Sequence, residues 1–121
     1  MFNFEKLEVW RKSVDFAHYV YRLTQAFPAE ERFGITNQMR RASVSISSNS
    51  AEGTSRSSKL DYSRFVELAA GSLFEAVSQA HIAARQAYLS EGNFQSMHAS
   101  AEELSRTLSG LKSYLAKDSN G

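Results

Sequence analysis

Apolar residues recur at steps of three and four along four segments of this chain, and proline, glycine or clustered serine separates the segments. That is the rhythm of helices with one face turned to a core. The first segment, about 5–27, carries two rows: Leu7, Trp10, Val14, Ala17 and Tyr21, and Phe16, Val20, Leu23 and Phe27. At ~100° per residue the rows lie about 110° apart, so apolar surface covers about half the cylinder or more and calls for more than one neighbour. Arg11, Asp15, His18 and Arg22 share the opposite, solvated face.

Pro28 ends this segment, because a proline ring pushes the preceding residue out of helical geometry and donates no backbone bond. Gly34 breaks the short turn that follows, and Thr36 is the expected N-cap of a second helix over about 36–52, with Gly53 as its C′ residue. Serine-rich composition from 43 to 58 favours a loop, yet Ile35, Met39, Ala42 and Ile46 keep the helical step, so helix is expected through Glu52. Ser58 with Asp61 approximates a capping box for the third helix, about 59–88. Its broad inner face is rich in alanine, which lets neighbouring axes approach closely. Gly92 and Asn93 are the expected break before the last helix, about 94–117, where Phe94, Met97, Ala101, Leu104, Leu108, Leu111 and Leu115 step without a miss.

Four helices joined by short connections predict an all-α, antiparallel up-and-down four-helix bundle formed by one domain over 1–121. One feature sits badly in a monomer. Leu68, Gly71, Ser78 and Ile82 lie opposite the main core face of the third helix, where polar residues belong, and they predict an oligomer interface there. Gln38, Asn49 and Glu52 lie on or beside the narrow apolar face of the second helix and, with Glu75 on the third, form a predicted polar network that fixes register. Without partners, such groups would cost about 1 to 3 kcal/mol each.

Composition narrows the chemistry. No segment is long and apolar enough to span a bilayer, and MFNFEKLEVWRK lacks the apolar run of a secretory signal, so the expected location is cytoplasmic. Without cysteine there are no disulfides, thiolate metal sites or cysteine nucleophiles. His18, His81 and His98 are too scattered along the chain to predict a metal site, no serine sits in a nucleophile motif, and the glycines form no phosphate loop. No catalytic residue, metal, cofactor or small-molecule substrate is expected. With 14 basic against 13 acidic side chains the overall field is weak. Local clustering remains: Arg40, Arg41, Arg56, Lys59 and Arg64 could contact nucleic-acid phosphates, or Arg40 or Arg41 could pair with Glu52, Glu67 or Glu75 and hold helices or subunits together.

The string FGITNQMRRASVSISSNSAEGTSRSS followed by SRFVELAAGSLFEA resembles a family of small bacterial four-helix-bundle proteins encoded in intervening sequences of 23S ribosomal RNA genes, a family related to the accessory variability proteins of diversity-generating retroelements. The likeness rests on Gln38, Arg40 to Ala42, Val44 to Ile46, Ser48, Asn49, Ala51 to Gly53 and Arg56, then on Phe65, Ala69, Gly71 to Leu73 and Glu75. Ser47 and Ser50 depart from the proline and isoleucine typical there. The resemblance implies a bundle that assembles into a cyclic homopentamer, with no established enzymatic activity. It also implies a partner class, RNA or DNA, since the retroelement relatives bind nucleic acid through basic surface. Two roles follow as expectations: an oligomeric nucleic-acid adaptor, or a structural and protein-interaction module that binds none.

Overall fold

The computed structural model describes the backbone from Met1 to Asn120 and the side chains from Met1 to Lys117. The described residues form four α-helices, α1 (Glu8–Thr24), α2 (Ile35–Gly53), α3 (Lys59–Arg85) and α4 (Glu91–Asn120), and none of them is in a β-strand. Short 3-10 turns at Asn3–Lys6 and Ala29–Glu31 precede α1 and α2.

Each helix packs against two others, in the cyclic order α1, α2, α3, α4 and back to α1, with no contact across the diagonals among the described residues. Named contacts fix the levels. Arg40 Nε donates to Thr24 Oγ1 at 2.9 Å between α2 and α1, and Ser72 donates to Ser45 Oγ at 3.0 Å between α3 and α2. Lys112 pairs with Glu67 at 2.9 Å and the His81 ring meets Phe94 at 4.8 Å between α3 and α4. Lys12 reaches Glu103 at 2.9 Å and donates to Thr107 Oγ1 at 3.2 Å between α1 and α4.

The core follows the stepped rows with corrections. α4 behaves as expected: Met97, Ala101, Leu104, Leu108 and Leu115 are buried, with Phe94 and Leu111 packed at the margin. On α1, Phe16 and Val20 of the second row are buried, as are Ala17 of the first row and Val9, which lies in neither, while Val14 and Tyr21 of the first row are exposed. That helix also starts at Glu8, later than expected, because residues 3–6 close a 3-10 turn in which Phe4 packs edge-on against Trp10.

Other helix boundaries also differ from expectation: α1 ends at Thr24, ahead of Phe27, and α3 at Arg85, ahead of Tyr88. Gly34, not Thr36, precedes α2; Thr36 lies inside the first turn, buried with its Oγ1 unpartnered. Gly53 closes α2 without a positive φ. Its missing side chain is required by space, since a Cβ there would stand 2.9 Å from Tyr62 Cδ1 and 3.0 Å from Phe65 Cβ. The break between α3 and α4 falls at Ala87, with φ 62, ahead of Gly92 and Asn93, which both lie in the first turn of α4. Tyr88 N–H reaches back to Ala83 O at 2.9 Å and Ala87 N–H to Ala84 O at 3.0 Å, a Schellman turn built on alanine. Ser58 caps α3 as expected, accepting from Asp61 N–H at 3.1 Å.

Candidate interaction surfaces

The α3 residues expected at an interface are all open. Leu68 is 55% and Ile82 53% exposed, with Gly71 and Ser78 between them, and Phe74, outside the expected set, is 67% exposed. These positions step along one side of α3 for about 21 Å. Phe74 was findable, standing three residues after Gly71 and four before Ser78. Beside it runs a groove of about 490 Å³ between α3 and α4, floored by Leu73, Val77 and Ala101. At one end the bundle brings together two histidines far apart in sequence: the His81 and His98 rings are 6.2 Å apart, and His98 Nδ1 lies 3.2 Å from Glu102. Among the described residues, no three His, Asp or Glu side chains converge to hold a metal ion.

The basic residues do not form one cluster. From Arg41 to Gly53 the helix climbs roughly 18 Å at about 1.5 Å per residue, so Arg40 and Arg41 stand near one end of the bundle and Arg56, Lys59 and Arg64 near the other. Most are engaged. Arg40 stacks over Tyr21 at 4.7 Å while bonded to Thr24, which fastens α2 to α1. Arg56 lies over the Phe65 ring at 4.3 Å and pairs with Glu52 at 3.3 Å. Lys59 stands over the Tyr114 ring at 5.8 Å, and Arg64 pairs with Asp61 at 3.4 Å. Arg41 is exposed and has no carboxylate within ion-pair distance among the described residues.

Among the described residues, four groups have shifted titration. Hydrogen bonding to Lys12 holds the Glu103 carboxyl below its ordinary range, and bonds to Glu103 and Glu8 raise Lys12 in turn. The Tyr88 hydroxyl, donating to Glu31 at 2.9 Å, is raised chiefly by that bond, and Tyr62 is raised by burial. None of these groups lines the α3 stripe.

The profile of a family described as 23S rRNA-intervening sequence protein matches residues 5–110. The chain belongs to that family. The structure is also similar to a crystal structure of a protein of unknown function, from the S23 ribosomal protein family of Bacteroides thetaiotaomicron. That likeness has a TM-score of 0.77 at 20% identity and covers 86% of this chain and 97% of the other. A search of curated proteins finds no match.

Within this 23S rRNA-intervening sequence family member, the residues that carried the resemblance fall mostly on α2, where Ala42 and Ile46 are buried while Gln38, Arg41 and Val44 are exposed. Asn49 Nδ2 donates to Ser45 O at 2.9 Å and to Ser45 Oγ at 3.0 Å, and Ser72 Oγ donates to the same Ser45 Oγ. This is the polar tie between α2 and α3. It contains Asn49 but none of the other expected members: Gln38 is exposed, Glu52 pairs with Arg56, and Glu75 accepts from Gln79 at 3.3 Å. Ser45 and Ser72 complete it, and nothing in their spacing marks them, since they sit 27 residues apart and meet only through the fold. At the two departures from the family pattern, Ser47 and Ser50 return their hydroxyls to Val44 O and Ile46 O, and α2 runs unbroken through both.

Proposed function

We propose that this chain is a non-enzymatic assembly module: an antiparallel up-and-down bundle whose copies close into a cyclic homo-oligomer in the cytoplasm, five being the number implied by the family resemblance. The observation that carries the reading is the α3 stripe, where Leu68, Phe74 and Ile82 hold more than half their surface open to water. Large apolar side chains gathered on one face mark an interaction site more often than a solvated surface. The antiparallel order is supported by Gly53 standing against Tyr62 while Ser45 meets Ser72, and by Lys112 meeting Glu67 while Phe94 meets His81. No helix of the described residues is long and apolar enough to cross a membrane.

Light scattering tests this directly. The expected outcome is a particle of several times 13.5 kDa at micromolar concentration, and a single-chain mass would overturn the proposal.

A second reading, an adaptor for RNA or DNA, is favoured by Arg56, Lys59 and Arg64 lying together around the α2–α3 connection. On a ring, repetition of a weak cationic patch acts multivalently. Phosphate contact predicts an affinity for structured RNA that falls steeply with salt. In a fluorescence-anisotropy titration at low salt, absence of binding would remove this reading and leave the assembly module intact.

A further inference from the structure

The large exposed apolar residues of the helices fall into two sets. One lies on α3 and α4 and includes Leu68, Phe74 and Ile82; the other lies on α1 and α2 and consists of Val14, Tyr21 and Val44, at 39%, 42% and 40% exposure. Because the helices contact one another in cyclic order with no diagonal contact, the α1/α2 side of the bundle is opposite the α3/α4 side. Two different patches on opposite sides are the geometry of head-to-tail association, which repeats from copy to copy and closes into a ring when the rotation allows.

Charge separates this arrangement from the symmetric one. Glu75 stands midway along the chain between Leu68 and Ile82 on the open side of α3. Packing α3 antiparallel on its own copy about that midpoint would set Glu75 against Glu75, and like charges facing across an interface oppose it. The α2 half of the α1/α2 patch has the opposite sign, while Asp15 stands beside Val14 on α1. The Arg40 guanidinium lies over Tyr21, Arg41 is three residues before Val44 with no carboxylate partner, and no acid occurs on α2 before Glu52.

We propose that the α3 stripe of one copy receives the Val14–Tyr21–Val44 patch of the next, with the arginines of α2 facing the side that carries Glu75. This deepens the assembly reading above and rests on it.

Complementation tests the pairing. One variant carries Leu68→Lys and Ile82→Lys, which blocks the α3 stripe; the other carries Val14→Lys and Val44→Lys, which blocks the α1/α2 patch. Both add the same sign of charge, so no new attraction arises between them. Each variant alone is expected to run at a single-chain mass, and an equimolar mixture at twice 13.5 kDa and no more, because the mixture holds one intact copy of each face per pair. Circular dichroism on each variant checks that the helices persist, and serine at the same four positions provides a milder set with the same expected order. If the wild type assembles but the mixture stays at single-chain mass, the pairing of faces is wrong. The α1/α2 variant retaining the wild-type mass overturns it equally. A wild-type particle of single-chain mass instead sinks the assembly reading underneath.

Discussion

The second helix and the outer side of the third are opposites. On α2, Ser43 and Ser50 are buried to within 1% of full enclosure, alongside Met39 and Ile46. On α3, Leu68, Phe74 and Ile82 stand open. Hydroxyls inside and hydrocarbons outside invert the usual sorting, and each has its own cause. Ser50 donates to Ile46 O at 2.8 Å and Ser43 to Arg40 O at 2.9 Å, so each arrives at the core with its polar need already met by its own helix. What remains is a small, shape-neutral group that fits inside the core. The open hydrocarbons on α3 have no such internal resolution, and they make sense when another surface covers them.

The largest break in this contrast comes from making α2 look like the outside of α3. Ser50→Leu inserts volume at a site 1% exposed, and the expected loss is about 1–3 kcal/mol in urea unfolding, the usual range for overpacking a filled core. A neutral or stabilising result would mean that the seam has room. Next in size is Ser45→Ala, which removes the hydroxyl shared by Asn49 and Ser72; it should cost about 1 kcal/mol. Asn49→Ala should cost a similar amount, and the double substitution less than the sum, because the two act in one tie. Leu68→Ser makes α3 look like α2. Compared at dilutions where both proteins are single chains, its unfolding free energy should differ from wild type by less than about 0.5 kcal/mol, while particle mass at higher concentration falls.

The smallest effect concerns α1 and α4. Lys12 holds the Glu103 carboxyl below its ordinary value of 4.5, so the stabilisation is present above that value and is lost as pH falls through the lower, folded one. Lys12 is itself raised above 10.5, so its share is lost only as pH rises through that higher value. Lys12→Met should therefore lower the midpoint of thermal unfolding at neutral pH and flatten its decline on acidification, measured by calorimetry between pH 6 and pH 3. An unchanged acid slope would mean that other carboxylates govern it.

The parts legible in the sequence were those where one helix face decides the outcome. The uninterrupted row of α4, the persistence of helix through the serines of α2 and the open side of α3 could all be read from spacing alone. Ends of helices were harder, because the deciding forces act from outside the segment. Gly53 looked like a left-handed terminus and proves to be a close approach between helices; Ala87 bears the left-handed turn for which Gly92 was the obvious candidate. The five basic residues looked like one cluster because they are near in sequence, and a straight helix spreads them along its length. Ser45 with Ser72, and His81 with His98, could not be paired from the sequence at all, since each pair is made by the packing of one helix on another.

Between Ser45 and Gly53 the contacts of α2 with α3 include the hydroxymethyls of Ser45 and Ser72 and one bare backbone position, and such groups have few torsions to freeze when the chain folds. They also give little resistance to one helix sliding past the other. Two small features then act as detents against slip: the notch at Gly53 that seats Tyr62 and the hydroxyl pair of Ser45 and Ser72 about two turns away. A change at either should show itself first as a loss of uniqueness, with broadened resonances from α2 and α3, before it shows as a loss of helix.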